Sequence, residues 1–370
     1  MKIGILTYHR SVNYGAYMQA YCLQNLLSEK TGYEVEIIDY DSKSADRYYV
    51  RQIFSRGIRG MFYNLRRHLM FQKAREKLSL SPFSLVTDDI IKFNELVKDR
   101  YDLIVVGSDE VWRVGGFRPF PNAYWLPDIR GIRKVTYAVS SRNYIGSLDD
   151  DTQKKIKGLI SDFEYITVRD NPSKQLIDGL LASERKSYVV CDPTLAYDFQ
   201  IDVEEGRRLI REKFHTSPDK ITIAIMDSTG DVVRNLNVDN EIQFISLYSY
   251  YPGLKNNPNV TPEEWVQIIS ASDGLITAFF HGMCIALSSD TPFLFCEERE
   301  EECKEFSKGY DLLHRYDMDN YFVQCTDEGL GTRIKEFINS AKYRSEKTDY
   351  LKIRENEKYG FDRFAEYLKA

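Results

Sequence analysis

Short apolar runs alternate with amphipathic segments from the first residues to about residue 300, and this alternation leaves few folds open. Residues 3–6, 35–39, 103–106, 135–139, 165–168, 188–191, 221–226, 244–247, 275–277 and 292–296 read as strands buried on both faces. Helical stretches at 16–28, 151–163 and 172–181 lie between them. A strand followed by a helix and another strand needs a crossover, which yields parallel sheets covered on both sides. The expected class is therefore α/β. Ten strands are more natural as two sheets than one. The best boundary follows Asp192-Pro193-Thr194-Leu195, where a strand ends and a charged helix opens near Asp202. This divides the chain into domains 1–197 and 198–345, with a last helix at 349–368 expected to return to the first domain.

A length of 370 residues also makes two domains the default. Fifty basic against 56 acidic residues give a net charge of −6, which argues against a globally basic nucleic-acid binder. Six cysteines without a Cys-x-x-Cys pair read as reduced thiols of a cytosolic protein. Five histidines without a pair at ligand spacing give no reason to expect a metal. The opening Met1-Lys2-Ile3-Gly4-Ile5-Leu6 reads as a first strand, not a signal peptide. No run approaches a membrane span. The expected location is the cytoplasm or the inner face of a membrane.

One segment departs from the pattern. Residues 47–75 hold eight basic residues and no acid, with Val50, Phe54, Ile58, Met61, Phe62, Leu65 and Leu69 recurring at helical spacing. Two readings stand: a helical insertion of the first domain with a solvated basic face, or a surface for anionic lipid or a lipid-linked diphosphate.

Several strand ends carry polar residues that could do chemistry. After the first strand, His9, Arg10, Asn13 and Gly15 lead into a helix, whose N-terminal N–H groups and dipole suit an anion. The same loop could be a helix entry without a ligand. Gly107 and Ser108 close a second strand, where open α/β sheets bind ligands, although Ser108 and Asp109 could equally cap a helix. Arg142 and Arg169 each follow a strand, able to grip a carboxylate or phosphate or to form an ion pair. His281 leaves a strand to open an apolar helix, which suits an acid or base, or a structural histidine. Asp39-Tyr40-Asp41 has the form of an Asp-x-Asp metal–nucleotide motif but ends a strand. The tyrosines of Tyr248-Ser249-Tyr250-Tyr251 could stack on sugar or serve packing.

In this order, the segments Asn13-Tyr14-Gly15 with Gln19-Ala20, Gly107-Ser108-Asp109 with Trp112, Tyr137-Ala138 with Ser140, Val168-Arg169-Asp170, Asp192-Pro193-Thr194-Leu195 and Phe280-His281-Gly282 resemble the polysaccharide pyruvyl transferase family. The resemblance spans residues 1–315. It implies two Rossmann-like domains with parallel sheets facing a cleft, as in GT-B glycosyltransferases. It further implies transfer of a pyruvyl group from phosphoenolpyruvate to two hydroxyls of one sugar, with release of phosphate and no metal or redox cofactor. The acceptor would be a polysaccharide or lipid-linked saccharide. On that reading Arg169, helped by Arg142 or Arg10, holds the donor. Asn13, Gly15, Gly107 and Ser108 supply backbone and polar contacts, and His281 is the acid or base. Many members have an arginine two residues before this histidine, and others have Asp-Ser before Phe-His-Gly; here Ala278-Phe279 stands instead. A sugar-nucleotide glycosyltransferase on the same fold and a non-catalytic glycan-binding member are the two alternatives.

Overall fold

In a computed structural model, residues 1–54, 57–181, 185–236, 240–298, 304–343 and 350–370 are described. Arg56, one of the eight basic residues of 47–75, Cys303, one of the six cysteines, and Asp349, where the last helix is expected to begin, lie outside them. The chain divides into two compact units. The first comprises Met1–Ser55, Gln72–Tyr197 and Glu357–Ala370; the second comprises Arg56–Phe71 and Asp198–Asn356.

The first unit is a seven-stranded parallel sheet built from β1 (Lys2–Leu6), β2 (Glu34–Asp41), β3 (Leu80–Val86), β4 (Leu103–Asp109), β5 (Arg133–Val139), β6 (Thr167–Val168) and β7 (Tyr188–Val189). Their order is β3-β2-β1-β4-β5-β6-β7. The chain winds outward from β1 in one direction and from β4 in the other, so strand order reverses between them. Ligand crevices of doubly wound sheets form at such a reversal, outside the carboxyl ends of the strands. The interior is closed by Ile and Val of the central strands and by Trp112 stacked on Trp125 at 5.1 Å. That ring pair is worth about 0.5–1.5 kcal/mol beyond its area. The helix Leu351–Lys369 brings Phe361 and Phe364 against Tyr137, with ring centroids 5.1 and 4.9 Å apart, and Tyr367 against Tyr165 at 4.2 Å.

The second unit repeats the plan with six parallel strands: β8 (Ile221–Met226), β9 (Ile242–Ser246), β10 (Lys255–Asn256), β11 (Gly274–Thr277), β12 (Phe293–Glu297) and β13 (Phe322–Gln324). The order β10-β9-β8-β11-β12-β13 again reverses at the first strand, here between β8 and β11. Its core gathers Ile223, Ile225, Ile276 and Leu294 of the sheet with Ile334 and Phe337 of the helix Leu330–Tyr343.

The basic segment belongs partly to each unit. Residues 56–71, expected as an insertion of the first domain, group with the second. The reason is the inner face of the helix Gly57–Ala74: Tyr63 packs on Tyr250, and Arg67 donates to the carbonyl oxygen of Tyr248 at 2.5 Å. Among the described residues no helix is long and apolar enough to cross a membrane.

Candidate functional site

At the carboxyl edge of the first sheet, the end of β4 and the loop after β7 converge on Arg169, which itself follows β6. Its guanidinium lies 2.8 Å from Asp192 Oδ2 and 3.3 Å from Asp109 Oδ1, and the side chain is 1% exposed. Asp192 also accepts from Ser108 Oγ at 3.4 Å and from Thr194 Oγ1 at 2.6 Å. The backbone carbonyl of Ser108 accepts from Thr7 Oγ1 at 2.9 Å. Gly107 is required by this geometry. Its φ is +112°, and a Cβ there would stand 2.2 Å from the carbonyl oxygen of Tyr137. Asp109 and Ala138 share positive φ values of 85° and 50°, so backbone strain collects at these strand ends. Burial would lower the guanidinium's pKa, but Asp109 and Asp192 outweigh it and hold Arg169 charged. Arg169, Gly107 and Ser108 are thus brought into one buried network. In this structure the Arg169 charge is balanced inside the protein by Asp109 and Asp192.

A second cluster lies at the ends of β1, β2 and β3. Arg10 Nε donates to Asp39 Oδ1 at 2.7 Å, and its terminal nitrogen donates to Ser84. His9 Nε2 meets the same Asp39 oxygen at 2.8 Å. Burial raises the Asp39 carboxyl, but the bonds from His9 and Arg10 prevail and hold it well below the usual carboxylate range. The Asp-x-Asp motif is therefore committed: Asp39 to His9 and Arg10, and Asp41 to Arg118 at 3.3 Å. Arg118 lies 3.8 Å from the centroid of the Tyr8 ring and within 3.4 Å of the Tyr49 hydroxyl. Arg75 approaches the Arg10 carbonyl at 3.4 Å. Arg10, Arg75 and Arg118 share this end of the edge with Asp39, Asp41 and Asp46.

Arg142 pairs with Glu110 at 3.3 Å. Asn13 is the cap of the helix Tyr14–Thr31: its Oδ1 accepts from the N–H of Gly15 at 2.8 Å and of Ala16 at 3.2 Å. The loop's contribution is therefore a fixed helix entry, with two N–H groups already satisfied.

In the second unit, His281 is the second residue of the helix Phe280–Ser288, which follows β11. The next residue sets its position. A Cβ at Gly282 would stand 2.7 Å from Thr277 Oγ1 and 2.9 Å from Met226 Sδ, so only glycine lets the helix start this close to β8 and β11. The unusual Ala278-Phe279 pair has aromatic surroundings. The Phe279 ring packs 4.0 Å from that of Tyr248, over which the Arg67 guanidinium sits at 4.6 Å. Tyr248 therefore serves packing, and a cation from a distant helix stands one ring away.

Sequence reasoning missed two carboxyls at the same edge. Asp227, after β8, accepts from the N–H groups of Thr229, Gly230 and Val233 at 3.0, 2.7 and 3.0 Å. Glu298, after β12, accepts from the Ser228 N–H at 2.7 Å and from its hydroxyl. Burial, with Asp227 beside it, pushes Glu298 up to about 7 against those two bonds. The Asp-Ser-Thr-Gly turn was a readable signal; Glu298 was hidden at the start of a charged run. A carboxyl raised on folding contributes stability below its ordinary range and loses it as pH rises toward 7. Replacing Glu298 by glutamine, neutral at every pH, is expected to raise the melting temperature at pH 8 and leave it little changed at pH 4. Equal shifts at both pH values would refute the assignment.

Arg118 had no local signal, because its partners Tyr8 and Asp41 are remote in sequence. Among the described residues no group of three or more His, Cys, Asp or Glu side chains is arranged to hold a metal.

Two doubly wound parallel units with polar carboxyl edges define a GT-B-like α/β fold, and solved structures bear this out. The UDP-GlcNAc 2-epimerase of Methanocaldococcus jannaschii aligns over 100% of this chain and 99% of its own, with TM-score 0.58 and 12% identity. A glycosyltransferase from Rickettsia africae aligns over 100% and 97%, with TM-score 0.56 and 10% identity. At such identities the likeness concerns the fold alone. No curated protein gives a significant match. The family model described as Polysaccharide pyruvyl transferase matches residues 13–299, and the chain belongs to that family. It is a transferase of polysaccharide biosynthesis.

Proposed function

We propose that this protein transfers the pyruvyl group of phosphoenolpyruvate to two hydroxyls of one sugar in a polysaccharide or lipid-linked glycan precursor. The observation that carries the reading is the family match, which runs through both units and includes the strand ends bearing Arg142, Arg169 and His281.

The chemistry balances without a redox partner. Two sugar oxygens bond to the central carbon of the donor, the carbon–oxygen bond to phosphate breaks, one hydroxyl proton goes to the methylene carbon, and the other leaves with phosphate. The product is a cyclic ketal carrying a carboxylate. Such a donor needs cations for its phosphate and carboxylate, and a proton carrier for the hydroxyls and leaving group. Arg10, with a side chain 17% exposed, and its neighbours Arg75 and Arg118 are the cations we assign to the donor. Arg142 is a further contact. Arg169, Gly107 and Ser108 shape the edge, and Asn13 and Gly15 fix the helix entry beside Arg10. His281 is the acid–base group, and Glu298, raised toward neutrality, is a second proton carrier at the same sheet edge. The steps require neither metal nor cofactor.

Incubation with phosphoenolpyruvate and a panel of nitrophenyl and lipid-linked sugars is expected to release phosphate and add a pyruvyl ketal to one sugar, read by mass. If a nucleotide sugar stabilises the fold and phosphoenolpyruvate does not, the reading gives way to glycosyl transfer. If neither ligand binds and a glycan does, the protein is a non-catalytic member.

A further inference from the structure

The helix Gly57–Ala74 has two faces of opposite use. Gly60, Tyr63, Arg67 and Phe71 are buried. On the other side Ile58, Phe62, Leu65 and Leu69 recur every four, three and four residues, which places them in one stripe. That stripe faces solvent: the four side chains are 75%, 55%, 39% and 55% exposed. Arg59, Arg66 and Lys73, seven residues apart, run exposed along one flank. Beside them a groove of about 500 Å³ is lined by Arg59, Phe62, Tyr63, Arg66, Tyr250 and Pro258.

A soluble helix normally turns its apolar stripe inward. This one buries an arginine and a tyrosine, and leaves four large apolar side chains in water. A contiguous apolar strip of this kind marks a binding surface. Charge selects the occupant. Residues 47–75 contain no acid, although the whole chain carries −6. A second copy docking stripe to stripe would oppose like charges. An anionic bilayer meets both demands: its acyl boundary accepts the apolar side chains, and its phosphates pair with cations that reach back to the headgroups.

We propose that the outward face of this helix docks the protein on an anionic lipid bilayer, with Ile58, Phe62, Leu65 and Leu69 entering the headgroup boundary and Arg59, Arg66 and Lys73 holding lipid phosphates. The inference stands independently of pyruvyl transfer. It places the protein where lipid-linked substrates reside.

The test is flotation of the full chain with vesicles of phosphatidylcholine alone or mixed with phosphatidylglycerol. Binding is expected only to the anionic vesicles and should weaken as salt rises. Replacing both Arg59 and Arg66 by glutamine should lower the partition coefficient about fivefold for each charge removed. Phe62→Ser with Leu69→Ser should lower it by at least about tenfold. Both variants should keep the wild-type circular dichroism and melting temperature, since neither alters the buried face. Equal binding to neutral vesicles, no binding, or wild-type binding by both variants would overturn the proposal. So would a concentration-dependent dimer that the serine pair abolishes, since the stripe would then be covered by a second copy. Free inorganic phosphate competing fully with the vesicles would leave the groove an anion site and remove the bilayer.

Discussion

Replacing Arg169 by methionine is expected to destabilise the first unit by about 3–5 kcal/mol, because Asp109 and Asp192 would remain buried with no cation between them. The removed guanidinium is nearly inaccessible, bonds to two carboxylates, and ties the loops after β4, β6 and β7 at the crowded edge of the sheet. Lysine at this position keeps the charge but not the planar fork that reaches both acids, so an intermediate loss is expected. Denaturant unfolding followed by tryptophan fluorescence reads the result directly, since Trp112 and Trp125 report this unit. The opposing outcome is clear. If the methionine variant unfolds like the wild type while its KM for phosphoenolpyruvate rises steeply, Arg169 touches the donor and the positioning role is wrong. The expected pattern is the reverse, with activity lost in proportion to the folded fraction.

The second large effect concerns His281. Asparagine there keeps a polar side chain at the start of the helix Phe280–Ser288 but cannot carry a proton at neutral pH. Turnover is expected to fall about 10²- to 10⁴-fold, the range of a lost general acid or base. The KM for donor should change little, because the cations assigned to it lie elsewhere. The melting temperature should hold within a few degrees, since Gly282, which permits the tight approach to Thr277 and Met226, is untouched. Unchanged turnover would show that His281 only packs. A loss confined to KM would make it a binding group.

Much of the fold was legible because burial on both faces leaves a local mark. Central strands such as β1, β4 and β8 hold near-continuous apolar runs, others such as β2 and β9 hold shorter ones, and all of them were readable. The strands that escaped notice are β3, β10 and β13, each at a sheet edge. β3 carries Pro82 and an alternation of buried and exposed positions, and β10 is only a half-buried Lys-Asn pair. Edge strands need not be apolar on both sides, so no run announces them. The helix entries at Asn13, Asp170 and Thr261 were likewise local matters, settled by a side chain reaching its own next turn.

The roles of the charged residues were not local. Arg169 meets Asp109 across 60 positions, Arg10 meets Asp39 across 29 and Arg118 meets Asp41 across 77. Nothing in the local sequence around Arg10 or Arg169 showed which carboxylate it would meet, and Arg118 drew no notice at all. The basic helix makes the same point. Its periodicity revealed an apolar stripe, yet an apolar stripe is ordinarily the buried one. Only the packing of Tyr63 and Arg67 on Tyr248 and Tyr250 turned that stripe to solvent. By itself the sequence determined two parallel α/β sheets, their helix entries and the family they belong to, because periodicity and motif order act over short spans. Tertiary structure alone decided which cations are already balanced and which face of the basic helix is left open, because charge pairing and burial depend on neighbours that the chain brings together only by folding.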